Sequence, residues 1–399
     1  MIRSLSRPTP KQAILILGIL LIAANLRAPF TGLPPLLGSI LADFGLSTTA
    51  VGAVTTLPLL AFALLSPWSA LLARKYGLER VLFGAMAAIA LGIVLRSAGA
   101  VWSLYAGTWI VGMGIAAGNV LLPSLVKRDF PLRVAALTGA YALAMGVIAA
   151  LGSALVFPLA DVWGWQGALA AFLVLPVAAL AAWMPQLRAP RHCVAQAAKT
   201  PQGAPIWRSA LAWQVTLFLG INSTIYYVVI GWLPIILTDA GLSPSQAGSL
   251  HGAMQLATAL PGLVLGPILH RMRDQRLPAV VVTVGSALAL LGLMLAPQWA
   301  FAWTLLFGAG SGSWFILGLT FIGLRTGSAP QAAALSGMAQ SIGYLLAAVG
   351  PMAMGALYAR LGGWKMPLGL CVALTFAASA VGVLAGRNLH IGHALNRAP

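Results

Sequence analysis

The chain has 399 residues, 60% of them hydrophobic and only 7% charged, with 44 glycines and 25 prolines. A soluble domain carries roughly a quarter charged residues, so this composition excludes an ordinary soluble protein and fits a polytopic α-helical membrane protein. The net charge of +17 is spread in short basic clusters between apolar runs, which argues against nucleic-acid binding, and Cys193 and Cys371 stand too far apart for a metal or redox motif.

The first apolar run follows Arg3, Arg7 and Lys11 and is long enough to span, with no small-residue cleavage site behind it; it reads as an uncleaved first helix. Asn25-Leu26-Arg27-Ala28-Pro29-Phe30-Thr31-Gly32-Leu33-Pro34-Pro35 interrupts it. Arg27 therefore lies roughly 20 Å along a helix, at membrane depth. A guanidinium there costs at least ~2.5–3.5 kcal/mol on insertion scales and needs water, hydrogen bonds or an anion. The three prolines remove backbone donors, and such a break survives only beside a cavity or neighbouring helices. The pattern points to a substrate-contacting arginine in a broken helix, with an arginine that snorkels or braces the fold as the bland alternative.

Twelve spans follow from the apolar runs, at about 13–41, 50–72, 80–99, 102–126, 134–159, 166–184, 212–237, 246–269, 278–296, 299–324, 333–358 and 366–386. Most of the 23 basic residues then fall on one side, which sets both termini in the cytoplasm. Trp102, Trp163, Trp165, Trp299 and Trp364 fall near the outer interface as belt aromatics, and Arg96 reads as an interfacial snorkeler. The polar stretch Pro185 to Ser209 divides the spans six and six, giving a first half over 1–184, a cytoplasmic linker over 185–211 and a second half over 212–399.

The halves repeat. Asp43-Phe44-Gly45-Leu46-Ser47 matches Asp239-Ala240-Gly241-Leu242-Ser243 at an offset of 196 residues, and Thr108, Gly112 and Gly114 match Thr304, Gly308 and Gly310 at the same offset. An even number of spans per half makes these parallel repeats, with a central cavity between them.

All six acidic residues, Asp43, Glu79, Asp129, Asp161, Asp239 and Asp274, fall in loops or at span ends. No carboxylate remains at depth to neutralise Arg27. Polar side chains inside the spans supply the other candidates for binding: Asn25, Asn119, Tyr141, Asn222 with Tyr226 one turn on, and Tyr227 about 100° around the same helix. His251 with Gln255, and Gln340 with Tyr344, add two further i, i+4 pairs. Rings together with amides suit a small planar heterocycle; the competing reading is interhelical glue worth ~0.6 kcal/mol per bond. No catalytic carboxylate pair, nucleophile triad, metal-ligand cluster or cofactor motif is present, so the expectation is a transporter rather than an enzyme.

The stretches Asn25 to Arg27, Thr55 to Leu64, Gly118 to Pro131, Phe218 to Pro234, Ala247 to Thr258 and Gln331 to Tyr344 resemble the major facilitator superfamily. More narrowly they resemble the family of cyanate permeases and 2-nitroimidazole transporters, nearer the nitroimidazole branch. The resemblance implies a monomeric transporter of the bacterial cytoplasmic membrane, in contact with lipid, that exports a small 2-nitroimidazole-type solute by alternating access. Uptake or exchange of a small anion such as cyanate is the alternative. The chain departs from the wider superfamily at Arg74, where an aspartate is expected, and at Thr108, where proton antiporters carry an arginine.

Overall fold

The computed structural model describes residues 10–130, 133–188, 206–265, 272, 274–327 and 329–391. The first apolar run forms α1 (Pro10–Asn25), stops, resumes as the single turn α2 (Ala28–Thr31), passes a 3-10 turn at Pro34–Leu36 and continues as α3 (Leu37–Phe44). The interruption has a local cause. The Leu33 N–H turns back to the Phe30 carbonyl at 3.4 Å instead of reaching Pro29, which leaves the Pro29 carbonyl without its helical donor. Arg96 supplies the replacement, its Nη1 donating to that oxygen at 2.6 Å. Arg96 is only 1% exposed, which corrects the expectation of an interfacial snorkeler: a carbonyl freed inside the bundle demands a donor, and the end of the third span provides it.

The chain continues through α4 (Thr48–Tyr76), α5 (Leu78–Arg96), α6 (Val101–Asp129), α7 (Val134–Ala171) and α8 (Val174–Trp183). Within α7, Gly164 takes φ 69° and ψ 169° and divides the segment into two helices near the expected boundary of spans five and six. After residue 206 come α9 (Ala210–Asp239), α10 (Pro244–Ala259), α11 (Arg276–Leu295), α12 (Ala300–Leu324), α13 (Ala329–Leu361) and α14 (Lys365–Ala385). Among the described residues, nine helices are long and apolar enough to cross a membrane. The eighth expected span is α-helical to Ala259 and tightens into a 3-10 turn at Leu260–Leu263. Cys193, most of the expected linker and the expected end of the eighth span lie outside the described residues.

The sequence repeat is also a structural one. Gly45 and Gly241 both take positive φ, 61° and 99°, and turn the chain between consecutive spans. Ser47 and Ser243 then cap the next helices, accepting from Ala50 N and Gln246 N. Asp43 accepts the Trp165 indole N–H at 2.8 Å, and Asp239 accepts that of Trp364 at 2.9 Å. These two tryptophans are buried and serve as ties rather than belt aromatics, whereas Trp102, Trp163 and Trp299 stay exposed. At the opposite end of the spans, Arg128 pairs with Glu79 at 2.6 Å, and its counterpart Arg325 binds Gln275, the repeat equivalent of Glu79, also at 2.6 Å. Hydrogen bonds to Asp129 and Glu79 hold the Arg128 guanidinium above its ordinary pKa, while burial lowers that of Arg325.

Helices α4 and α5 pack on α6, and α1 packs on α7 and α8; in the second part α9 packs on α13 and α14, and α10 on α12. Two helix pairs carry most of the contact between the parts, α4 on α13 and α7 on α10, and the 3-10 turn at Pro34–Leu36 adds contacts to α9 and α10. Both helix pairs reach backbone distance at the end carrying Asp43 and Asp239. A β-carbon on Gly52 would stand 3.1 Å from the Pro351 carbonyl oxygen, and one on the repeat-related Gly248 would stand 3.0 Å from that of Ser153.

The paired arginines give a stability prediction. Glu79→Gln reproduces the arrangement found at Gln275 and lowers stability by under about 1 kcal/mol, while Glu79→Ala leaves one Nη2–H of Arg128 without its acceptor and costs about 1–2 kcal/mol. Thermal unfolding of purified protein in detergent compares the two; equal losses would show that the polar oxygen at position 79 is idle.

Candidate functional site

Arg27 occupies the break itself, at φ −130° and ψ −48° between α1 and α2. Its carbonyl accepts from the Phe30 and Thr31 N–H groups at 3.0 and 2.9 Å, so the short α2 hangs from it. Its guanidinium reaches into the second part of the chain and lies over the Tyr226 ring of α9, with Cζ 5.3 Å from the centroid. From there the aromatic contacts run on without a gap. Tyr226 meets Tyr227 at 5.3 Å, Tyr227 meets Phe30 at 5.7 Å and Tyr344 of α13 at 6.3 Å, and Tyr344 meets Phe62 of α4 at 5.5 Å. All four are edge-to-face, the arrangement that ring quadrupoles favour. The 100° between successive helical residues is what lets Tyr226 address Arg27 while Tyr227 addresses α2 and α13.

Gln255 of α10 closes one side. Its Oε1 accepts the Tyr226 hydroxyl at 2.8 Å, which fixes the amide orientation and leaves Nε2 buried without a protein partner. Asn25, at the end of α1, donates through Nδ2 to the Leu21 carbonyl at 2.8 Å, and its Oδ1 is likewise buried and unpartnered.

The charge of Arg27 is not neutralised by the protein. Glu79 and Asp129 pair with Arg128, and Asp274 pairs with Arg276. Asp43 and Asp239 hold the interfacial tryptophans, and Asp161 is exposed at a helix end. What Arg27 meets is the ring and hydroxyl of Tyr226, with Tyr227 and Tyr344 close enough to act on its charge. A cation–π contact is worth about 0.5–2 kcal/mol, less than the insertion cost of the guanidinium.

Five of the sequence-predicted residues thus come together: Arg27, Tyr226, Tyr227, Gln255 and Tyr344. Gln340 lines a small cleft with Tyr344 and Ser223, its Nε2 on Ser336 Oγ at 3.0 Å. Asn222 accepts the Ser311 hydroxyl at 3.0 Å and so ties α9 to α12. His251 shares a short hydrogen bond through Nδ1 with Ser153 Oγ, across the α7–α10 contact. Tyr141 is half-buried against the apolar core and Asn119 is exposed on α6. Among the described residues, no hydrogen bond or ring contact joins Asn119, Tyr141 or His251 to the cage. Phe30 and Phe62 escaped sequence reasoning because a phenylalanine in an apolar run carries no polar signal; the placement of Phe30 within the proline-rich break was the available hint.

The Major Facilitator Superfamily pattern matches residues 15–348. The chain belongs to the Major Facilitator Superfamily. It is a multi-pass membrane transporter, 54% identical over 381 residues to the 2-nitroimidazole transporter of Escherichia coli (strain K12), covering 95% of this chain and 97% of the relative. Identity to the cyanate transport protein CynX of the same organism is 26%, over 88% of this chain and 92% of that one. The nearness to the nitroimidazole branch is therefore borne out. Among solved structures, a bacterial homolog of the human lysosomal transporter Spinster superposes with a TM-score of 0.76 at 17% identity, covering 96% of this chain and 98% of the other, and this supports the superfamily fold.

In this superfamily member the Tyr226–Gln255 bond is testable directly. A double-mutant cycle of Tyr226→Phe with Gln255→Leu, read by equilibrium unfolding in mixed micelles, gives a coupling of about 0.6 kcal/mol, typical of hydrogen bonds within membranes. A coupling indistinguishable from zero would remove the bond from the description of the site.

Proposed function

We propose that this transporter exports a small planar polar solute, a 2-nitroimidazole-type compound, and binds it against Arg27 and the tyrosine cage. One observation carries the reading: the guanidinium in the break of the first span faces the Tyr226 ring, contributed by the other part of the chain. Arg27–Tyr226, Phe30–Tyr227 and Phe62–Tyr344 all cross between the parts, so a solute seated there touches both. The relative that is 54% identical is named for 2-nitroimidazole, which supports that substrate class. Uptake or exchange of a small anion such as cyanate is the second reading, favoured by the un-neutralised Arg27 and by the likeness to CynX.

The architecture belonging to this proposal has twelve spans in two six-helix halves, 1–184 and 212–399, joined by a cytoplasmic linker. Both termini face the cytoplasm of a bacterial cell, and the protein works as a monomer. The repeat-related turns, the caps and the two cross-part contacts support this arrangement. Transport then requires the Gly52–Pro351 and Gly248–Ser153 contacts to part when the opposite end closes, the rocking expected of parallel repeats.

Two experiments test the proposal. Arg27→Ala abolishes 2-nitroimidazole binding by the purified, monodisperse protein, and Arg27→Lys restores it only in part because a point charge does not reproduce a planar fork. Normal binding by Arg27→Ala would retire the site. Separately, Gly52→Leu together with Gly248→Leu blocks close approach of the helices. Spin-label distances across that end then lengthen, and flux in proteoliposomes falls at least about tenfold, a barrier increase of roughly 1.4 kcal/mol. Unchanged distances and flux would contradict the rocking scheme.

A further inference from the structure

We infer that the cage takes its cargo as a planar monoanion, so that an aromatic or heteroaromatic carboxylate fits it better than the isosteric neutral nitro compound; this rests on the reading that cargo binds at Arg27. The argument is a balance of charge and of donors against acceptors. A guanidinium carries five N–H donors and no acceptor. That of Arg27 meets the Tyr226 ring but no carboxylate, since each of the six acidic residues is engaged or exposed elsewhere. The amide of Gln255 presents a further donor, because its oxygen is already taken by the Tyr226 hydroxyl and its Nε2 has no partner. A second buried arginine, Arg96, spends one nitrogen on the Pro29 carbonyl two residues from Arg27 and leaves Nε and Nη2 unpartnered. Positive charge and unused donors therefore accumulate where the first span is broken, in surroundings of low dielectric that strengthen any attraction to an anion.

Carboxylate and nitro groups share one planar shape, two oxygens on a trigonal atom, and both fit the fork of a guanidinium. They differ in charge. Hydrogen bonds to an ionised acceptor are roughly twice as strong as those between neutral groups, and a carboxylate on Arg27 turns an uncompensated buried charge into a pair. The aromatic side chains favour a flat ring to carry the group: Phe30 and Phe62 are apolar rings, and Tyr227 and Tyr344 are rings with hydroxyl tips. A flat anion satisfies both requirements together, and a flat neutral molecule satisfies only the second.

The test uses an isosteric pair whose rings carry no ionisable nitrogen, 1-methylpyrrole-2-carboxylate and 1-methyl-2-nitropyrrole, titrated calorimetrically into the purified full-length protein at pH 7. The wild type binds the carboxylate at least about tenfold more tightly, a difference of roughly 1.4 kcal/mol. Arg27→Gln loses that preference, its carboxylate affinity falling about tenfold or more while its nitro affinity changes less than about threefold. Equal or tighter wild-type binding of the nitro compound overturns the inference and leaves the planar-solute site standing. Binding of neither compound overturns both. Should Arg27→Gln fail to fold, the wild-type comparison decides alone, because it alters only the charge of the ligand.

Discussion

The structure depends on one exchange of hydrogen bonds. Proline at 29, 34 and 35 prevents the first span from completing itself, and the carbonyl of Pro29 loses its donor when Leu33 turns to Phe30. Inside a bilayer that oxygen has no water to turn to, and leaving it bare costs several kcal/mol. Arg96, buried at the end of α5, takes the place of the missing N–H. The break is thus a stable feature held from the neighbouring helix, and it sets the depth and direction of Arg27. A continuous first helix would carry Arg27 in ordinary helical geometry, where the carbonyl-borne turn α2 and Phe30 could not stand beside Tyr227.

The internal repeat sharpens what is special about this break. Where the two parts agree, the residues do structural work: glycine turns, serine caps, aspartate–tryptophan ties and arginines clamped at the opposite end. Where they disagree, the cage appears. The repeat equivalent of Arg27 is Ser223, inside the continuous 30-residue helix α9. The equivalent of Tyr226 is Phe30, which keeps the ring and loses the hydroxyl. One part contributes the cation and two apolar rings; the other contributes three tyrosines and an amide. Such a difference between the repeats is what a site for an asymmetric solute would require if cargo binds at the cage.

Much of this was legible in the sequence, for reasons that differ from residue to residue. Arg27 was visible because a charge at membrane depth is costly and stands out against an apolar run. The break was visible because proline acts locally. Tyr226, Gln255 and Tyr344 were visible as polar groups on helical stripes, but the same criterion also picked out Asn222 and His251, whose partners Ser311 and Ser153 make them ties between helices. No spacing rule separates a polar group that joins the cage from one that ties two helices; only the packing does. Arg96 misled for a related reason. Its position at a span end fits a snorkeling side chain, and the carbonyl that draws it inward belongs to another helix 67 residues earlier. Trp165 and Trp364 misled likewise, since each is tied to an aspartate more than a hundred residues away.

The cage also bears on how binding can drive movement. A ligand shifts a conformational equilibrium only through a difference in its affinity for the two states. The contacts that cross the cage, Arg27 on Tyr226, Phe30 on Tyr227 and Phe62 on Tyr344, are individually worth about 0.5–2 kcal/mol. They are too weak to lock the two parts, and the close backbone contacts at Gly52 and Gly248 lie at one end of the bundle, away from the cage. A solute bridging Arg27 and the tyrosines adds its largest interactions across the same boundary that these weak contacts span. If cargo binds at the cage, its strongest ligand-dependent interactions fall on the boundary between the two parts, while the close backbone contacts at Gly52 and Gly248 stay the same with or without it.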